Sequence, residues 1–511
     1  MPNSRIARNT LYLYGQQIVQ MVVGLVTTRI LIKSLGEVDY GLFSVLGGVM
    51  SVFVVLNSLE AATMRFITYE QGQGSDKARM HVVFSTAQHV HFAIAGIVLL
   101  LAETAGMYYV CNHLVMPPER LTAAIIVFQI YILTSIFGII CAPFDALIVA
   151  YEKMGVFASI SIYNTLINLV IVLIVKYVDT DRLILYASLI MLLQISLRLI
   201  YGWYCNRHFP ETRGKWVFDR KLFSQMFRFG IWSFNGTLAT IGYTQGINLL
   251  LNYFYNTVMN TAFSLANSVY SKLYSFAENF LIAVKPQLVK NYAAGNMDYM
   301  HRLMITSSQL GVYLMFILSL PVMLETHFIY YIWIGDIPDH TVWFLRIALF
   351  SIGVNTLGNV MTMSIQATGR IAKYQLIEGN LLLLTVPLAW FCLWKGLPPE
   401  SVFCAQLLMF VITQVARMLI VCPAVKLSIW HYIREVMVRP AIVIVVGSII
   451  PVLVHNYGGL STHPITQVAI VTFVCLLSSG LAVYYIGCSR SQRKLVIQKL
   501  RQKISSIIHR G

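Results

Sequence analysis

Residues Thr257–Pro286, TVMNTAFSLANSVYSKLYSFAENFLIAVKP, form an apolar stretch that is long enough to cross a bilayer as one α-helix. Lys272 lies about 14 residues from each end, which is roughly 20 Å along a helix. A lysine at that depth is costly unless it faces water or polar groups. Five polar residues share its helical face: Thr261, Ser264, Ser268, Ser275 and Asn279. The stretch therefore predicts a membrane helix whose polar stripe lines a cavity.

The whole chain has the composition of a membrane protein. Its 511 residues are 57% hydrophobic and 11% charged, with a mean hydropathy of +0.70. A soluble protein of this size could not bury so much apolar surface, so we predict an all-α polytopic membrane protein. The net charge of +16 indicates contact with anionic inner-leaflet lipids and not with nucleic acid. The eight cysteines lack ligand spacing, so packing is their expected role, and no metal or cofactor is predicted.

Apolar runs of bilayer length recur about 14 times along the chain. They lie near residues 9–32, 41–64, 82–110, 121–150, 155–177, 182–205, 226–253, 258–285, 303–324, 341–367, 373–394, 400–422, 438–456 and 465–487. Most Lys and Arg residues fall on the side that also holds both termini. The opposite side keeps only Arg29, Lys33, Arg120, Lys176, Arg182, Arg346 and Lys395. Both ends are therefore predicted to be cytoplasmic.

The sequence also contains an internal repeat. HVVFSTAQ from His81 aligns with HRLMITSS from His301 at a spacing of 220, and AYEKMGV from Ala150 aligns with ATGRIAK from Ala367 at 217. The repeated unit holds six helices, so both copies have the same orientation in the membrane. We predict two six-helix lobes, 1–205 and 226–425, joined by an amphipathic linker at 206–225. Two further helices at 436–487 and a basic amphipathic cytoplasmic tail at 488–511 would follow.

The N-terminal sequence ARNTLYLYGQQIVQMVVGLVTTRILIKSLGEVDYGLFSVL resembles the start of polysaccharide and O-antigen flippases, which belong to the multidrug/oligosaccharidyl-lipid/polysaccharide exporter superfamily. The matching features include Asn9–Thr10, Arg29, Gly36, Tyr40–Gly41, Pro143, Phe229–Gly230 and a Pro286 that closes the eighth span. The resemblance implies a carrier of lipid-linked oligosaccharides. It also implies a central cavity that opens alternately to the two membrane faces, lined by the first, second, seventh and eighth spans.

Polar residues at helical spacing occur in those same spans. The substrate-binding candidates are Lys272, Arg29, Gln16, Gln20, Asn57, Thr244, Asn248, Ser268 and Ser275. Lys272 is the candidate anchor for a diphosphate, because a phosphorylated lipid head needs a cation. Glu278 and Glu60 are candidates for ion coupling, because intramembrane acids commonly serve that role. The tenth span adds Asn355 and Asn359. For every stripe, hydrogen bonding between helices is the competing interpretation.

These observations predict a transporter in the bacterial inner membrane that flips a polyprenyl-diphosphate-linked oligosaccharide of O-antigen, capsule or exopolysaccharide. Polysaccharide polymerase and export machinery are candidate partners. A drug/cation antiporter or a lipid II-type flippase of the same superfamily are alternatives. A polysaccharide polymerase or glycosyltransferase is a less favoured alternative, because it would need a large extramembrane loop and the spacing of the spans leaves none. No Walker A, G-x-S-x-G or H-E-x-x-H motif occurs in the sequence, so no enzymatic activity is expected.

Overall fold

The computed structural model describes residues 2–36, 39–40, 42–43, 46–47, 49–50, 59–112, 114, 116–178, 180–255, 257–333, 337, 339–457, 464–488 and 493. Secondary structure within these residues is helical, with no strand among them. The helices are α1 (Pro2–Leu35), α2 (Leu59–Gln73), α3 (Lys77–Leu101), α4 (Met107–Asn112), α5 (Leu121–Ala150), α6 (Met154–Tyr177), α7 (Arg182–His208), α8 (Arg220–Phe254), α9 (Thr257–Ala293), α10 (Met297–Leu324), α11 (Thr326–Trp333), α12 (Thr341–Thr368), α13 (Ala372–Leu383), α14 (Thr385–Trp394), α15 (Ser401–Ala424), α16 (Ile429–Tyr432), α17 (Arg439–Tyr457) and α18 (Pro464–Ala482). A π-helical turn joins α3 to α4, a second joins α16 to α17, and a third follows α18.

Ten helical segments of the described chain are long and apolar enough to span a membrane. α1, α8 and α9 are not among them, although they contain 34, 35 and 37 residues. These three helices correspond to the predicted first, seventh and eighth spans, and their polar residues lower their hydropathy. The all-α polytopic fold is confirmed, whereas the count of 14 spans stays a prediction.

The internal repeat appears in the positions of the helix ends. α2 ends at Gln73 and α9 ends at Ala293, 220 residues later. α3 and α10 begin at Lys77 and Met297, which are also 220 residues apart.

The two repeat-related histidines make equivalent contacts. The His81 ring nitrogens contact the carbonyl oxygens of Glu211 and Lys215, at 2.7 and 2.9 Å. The His301 ring contacts the carbonyl oxygen of Val425 at 2.7 Å. In both copies the histidine thus binds the chain just after the sixth helix, since α7 ends at His208 and α15 ends at Ala424.

The described chain forms two compact units, and each is considered by itself. The first contains Met1–Ala239, Ile282–Met300 and Ile365–Gly379, and the second contains Thr240–Leu281, His301–Ser364 and Asn380–Gly511. In the first unit, α1 packs along α6, and α5 packs against α2, α3 and α7. In the second unit, α14 packs on α15 and α17 packs on α18.

In the first unit, α2 and α9 cross closely near their C-terminal ends. A Cβ atom on Gly72 would lie 2.5 Å from the carbonyl oxygen of Lys290 and 2.6 Å from the Cβ of Ala293. The neighbouring Gln73 donates a hydrogen bond from Nε2 to the Ala293 carbonyl, at 2.9 Å. A glycine is therefore required at the crossing, because any larger residue would push the two backbones apart.

The chain turns sharply between α5 and α6 and again between α12 and α13. We name these turns the first corner (Tyr151–Lys153) and the second corner (Thr368–Arg370). Each contains a residue with positive φ, Glu152 at 58° and Gly369 at 77°. The two residues are 217 positions apart, as the sequence alignment of the repeat predicts.

Two details differ from the simple division of the sequence into spans. Pro286 does not end α9, which continues to Ala293 with the proline inside it. A proline removes one backbone donor but its fixed φ is helical, so the helix can continue past it. The predicted amphipathic linker at 206–225 is not one continuous helix, because Trp216–Asp219 is not helical and α8 begins at Arg220.

Candidate functional site

One face of α9 is exposed and polar. Between Ser264 and Glu278, every exposed residue carries a polar side chain, and the set is Ser264, Asn267, Ser268, Ser271, Lys272 and Glu278. The opposite face is buried, and it includes Ala262, Ala266 and Ala277. The helix is therefore amphipathic, with its apolar face toward the interior of the second unit and its polar face exposed.

Another helix of the same unit, α15, has a very different surface. Between Leu408 and Leu419, the exposed residues of α15 are all aliphatic: Leu408, Val411, Ile412, Val415 and Leu419, each between 41% and 61% exposed. Hydrocarbon tails solvate such a surface well, whereas hydroxyl, amide and charged groups need water or polar partners. The polar face of α9 thus has the character of a surface in contact with water.

Lys272 lies in the middle of this polar face. Its backbone carbonyl accepts a hydrogen bond from the Ser275 hydroxyl at 2.7 Å, and the Ser268 hydroxyl bonds the Ser264 carbonyl at 2.8 Å. These local bonds satisfy the serine donors with carbonyl oxygens of α9 itself. No ion pair joins the Lys272 ammonium group to an acid within the described ranges of the chain. The ammonium group is thus available to an anionic ligand.

The adjoining side of α9 is bound to α12. Asn355 donates a hydrogen bond to the Tyr270 hydroxyl at 3.0 Å, and Asn359 donates one to the Tyr274 hydroxyl at 2.6 Å. The polar stripe that the sequence showed in the tenth span therefore serves, at these two positions, to hold helices together. In this unit, one side of α9 therefore exposes its polar residues, and the adjoining side accepts hydrogen bonds from the polar residues of α12.

The remaining predicted site residues fall in several environments. Gln16 is buried and its Nε2 donates to Gln20 Oε1 at 3.4 Å, while its own Oε1 is buried without a partner among the described residues. Thr244 bonds the Thr240 carbonyl at 2.9 Å, and the Asn248 side-chain oxygen is buried without a described partner. Asn57 and the side chain of Arg29 lie outside the described residues.

A second polar cluster lies inside the first unit. Asp145 on α5 forms an ion pair with Arg198 on α7. Glu60 on α2 interacts electrostatically with both of these groups and with Lys285 on α9. Two acids and two bases from four helices thus share one apolar interior, where charges interact strongly because water is largely excluded. The described chain contains no group of three or more residues suited to hold a metal ion.

The sequence indicates Glu60 as a candidate for ion coupling, but it gives no comparable indication of Lys285 and Arg198. Lys285 lies one residue before Pro286, near the expected end of the span, where a lysine is ordinary. The repeat contained a signal for it, since Lys285 follows Arg65 by the 220-residue spacing of the repeat. A positive charge at equivalent positions in both copies of the repeat indicates a candidate functional residue.

Solved structures with the same architecture are transporters. One is described as an outward-facing multidrug resistance MATE family transporter of the MOP superfamily, with a TM-score of 0.74 and 12% identity over 83% of this chain and 96% of that chain. Another is a MOP superfamily transporter from Pyrococcus furiosus, described as having a binding pocket of reverse polarity that suggests a different function. Its TM-score is 0.71, with 14% identity over 83% of this chain and 96% of that chain. These likenesses show the fold, which has two lobes.

The fold and its ten long apolar helical segments are those of a multi-pass membrane protein, and the solved structures that share this fold are transporters. The family described as "Polysaccharide biosynthesis protein" matches residues 6–292, which is more than half of the sequence. The chain therefore belongs to that family, and the resemblance predicted from its N-terminal sequence is confirmed. No curated protein matches the sequence.

Proposed function

We propose that the protein moves a polyprenyl-diphosphate-linked oligosaccharide from the inner to the outer leaflet of the bacterial inner membrane, by alternating access. The observation that carries the proposal is the exposed polar face of α9 with Lys272 at its centre. Membership of a polysaccharide biosynthesis family supports the substrate class.

The chemistry of this face fits a lipid-linked sugar. Diphosphate oxygens are strong acceptors that bind ammonium groups through charge-assisted hydrogen bonds. Sugars bear many hydroxyl groups, which serine and asparagine side chains can bind from the same helix face. In the proposed complex the diphosphate binds Lys272, the sugars lie along Ser264, Asn267 and Ser268, and the lipid tail stays in the bilayer.

The cluster of Glu60 and Lys285 is our candidate for coupling transport to an ion gradient. A carboxylate in an apolar interior changes its interactions when it binds a proton or a cation, and helices can respond to that change. Glu278, exposed on the polar face of α9, is the second candidate. Both termini would be cytoplasmic, with anionic inner-leaflet lipids and polysaccharide assembly proteins as partners.

The first prediction concerns Lys272. The protein would be reconstituted in vesicles, and transport of a diphosphate-linked glycolipid would be measured with and without an imposed proton gradient. We expect Lys272→Gln to lower the transport rate at least tenfold and Lys272→Arg to keep most of it, because only the arginine preserves a cation. Lys395→Gln is the matched control, since it removes one exposed positive charge from the end of α14.

Equal transport by wild type, Lys272→Gln and Lys272→Arg would remove the anchor role. Transport that does not change with the proton gradient would remove proton coupling through Glu60 and Glu278.

A drug/cation antiporter is the second candidate, because Glu278 offers a carboxylate on the same exposed face as Lys272. A cationic compound would bind the acid and be repelled by the lysine. The same vesicles distinguish the two functions. Efflux of a cationic dye without movement of the glycolipid would favour the antiporter, and glycolipid movement without dye efflux would favour the flippase.

A further inference from the structure

A separate cavity of about 660 Å³ lies in the first unit, away from Lys272 in sequence and on other elements. The C-terminal half of α2, the first three turns of α8, the second corner and the start of α13 enclose it. Its volume is in the range of cavities that hold small ligands or lipid head groups.

The lining of this cavity is strongly basic. Arg65, Arg228, Arg370 and Lys373 contribute four positive charges, and none of the described lining residues is acidic. Arg228, Arg370 and Lys373 are exposed and form no ion pair with a described residue. Cations brought together without an acid repel one another, and a bound anion would remove that repulsion.

Arg65 forms the rigid base of the cavity. It is only 7% exposed, its Nε donates to the Gln366 carbonyl at 2.8 Å, and its guanidinium lies over the rings of Phe66 and Phe229 at 4.7 and 5.4 Å. The aromatic rings and the backbone carbonyls hold the guanidinium in place. A fixed cation at the base and three exposed cations at the rim are suited to a ligand with more than one negative charge.

The cavity lies at the ends of membrane spans. Two spans, Thr341–Thr368 and Ala372–Trp394, end and begin in its lining, and α8 reaches it at Ser224, four residues after its start at Arg220. Further along α8, Ile231 and Leu238 are apolar and about half exposed, and the exposed Thr237 lies beside Leu238. The start of α13 adds the positive end of its helix dipole. The cavity is therefore placed where lipid phosphates lie, on the side that the basic residues predict to be cytoplasmic.

We propose that this cavity binds a lipid head group that carries two phosphates. Two closely spaced phosphates can each pair with two of the four cations, while the acyl or prenyl chains lie against the apolar surface of α8. The ligand has two sources with this shared chemistry, a prenyl diphosphate of the proposed substrate class or a diphosphatidylglycerol of the bilayer. The site itself requires only the two phosphates and does not rest on the proposed transport function.

The test is equilibrium binding to the purified full-length protein in an uncharged detergent. Farnesyl diphosphate and cardiolipin represent the two sources, and phosphatidylglycerol is the comparison lipid with one phosphate. The cavity variant is Arg228→Gln/Arg370→Gln/Lys373→Gln, and the matched control is Lys215→Gln/Arg220→Gln/Lys221→Gln. The control removes three exposed charges that are near in sequence but do not line the cavity. The melting temperature of the control variant should equal that of the wild type, because its three residues are exposed. That of the cavity variant should be no lower, because its three residues are also exposed and their removal relieves the repulsion among the cavity cations.

We expect the cavity variant to bind at least one of the two-phosphate lipids tenfold or more weakly, and the control variant to bind within twofold of the wild type. Loss for farnesyl diphosphate alone identifies the substrate class as the source, and loss for cardiolipin alone identifies the bilayer. Unchanged binding of both by the cavity variant overturns the proposal, as does an equal loss in the control variant. Phosphatidylglycerol binding as tight as that of the two-phosphate lipids, with the same loss, also overturns it. Because no transport is measured, a failure of glycolipid flipping would leave this site standing.

Discussion

The first and second corners have the same backbone turn but different electrostatics. In the first corner, the carboxylate of Glu152 accepts hydrogen bonds from Gln287 Nε2 at 2.6 Å and Lys290 Nζ at 3.0 Å. In the second corner the equivalent residue is Gly369, which has no side chain, and the guanidinium of Arg65 occupies the space beside it.

This difference shows how one residue that differs between the two copies of the repeat changes the net charge around a corner. The acid of the first corner neutralises the lysine that reaches it, so that corner holds helices together. At the second corner, the acceptors for Arg65 are backbone carbonyl oxygens. Its guanidinium donates hydrogen bonds to those of Gln366 and Ala367, at 2.8 and 3.4 Å. A carbonyl dipole accepts a hydrogen bond but carries no net charge, so the positive charges around the second corner stay uncompensated.

The largest effect is expected from Arg65→Gln, which removes the group that holds the second corner. The variant loses charge-assisted hydrogen bonds to two carbonyls and the contacts of the guanidinium with the rings of Phe66, Tyr69 and Phe229. We expect a loss of about 3 kcal/mol in the free energy of unfolding. Denaturant titration in detergent micelles would measure it. The control is Arg79→Gln on α3, whose ion pairs to Glu70 and Asp219 are partly exposed, and it should cost less than about 1 kcal/mol. Similar losses in both variants would contradict the structural role assigned to Arg65.

Both corners could be located from sequence, because the alignment of AYEKMGV with ATGRIAK fixed their spacing. What holds each corner could not be predicted in the same way. An acidic side chain such as that of Glu152 indicates a partner of opposite charge, and Lys290 is a reasonable candidate. The partners of Arg65 are backbone carbonyls, which every residue possesses, so the sequence contains no signal for them.

In the candidate site, too, the sequence predicts some features and leaves others undetermined. Helical periodicity correctly placed Ser264, Ser268 and Lys272 on one face of α9, since spacing alone determines which residues share a face. It did not determine what covers that face. The Gln16 and Asn355 stripes have equally regular spacing, yet Gln16 is buried and Asn355 bonds a tyrosine of α9. Whether a polar stripe meets water or another helix depends on packing that is remote in sequence.

Gly369→Ala tests whether the second corner needs glycine for its backbone or for the space beside it. Alanine at a φ of +77° is strained, and its Cβ would lie 2.3 Å from Nη2 of Arg65. We expect a loss of about 2 kcal/mol in the free energy of unfolding, from the strain and from displacement of the guanidinium. Gly396→Ala is the matched control, because its φ is +76° but nothing lies within 4 Å of the new Cβ, so it should cost about 1 kcal/mol. Equal melting temperatures for the two variants would show that only the backbone angle matters.

The smallest effect is expected in the first corner, where Glu152 and Lys290 form an ion pair that is only partly shielded from water. The side chain of Lys290 is 27% exposed, so solvent weakens the attraction, although the carboxylate itself is 6% exposed. A double-mutant cycle with Glu152→Gln and Lys290→Met should give a coupling free energy of about 1 kcal/mol, measured by denaturant titration. The amide of Glu152→Gln can still accept a hydrogen bond from Gln287, so the cycle isolates the charge interaction. A coupling near zero would mean that the acid acts through Gln287 alone, and the contrast between the corners would then lie in hydrogen bonding and not in charge.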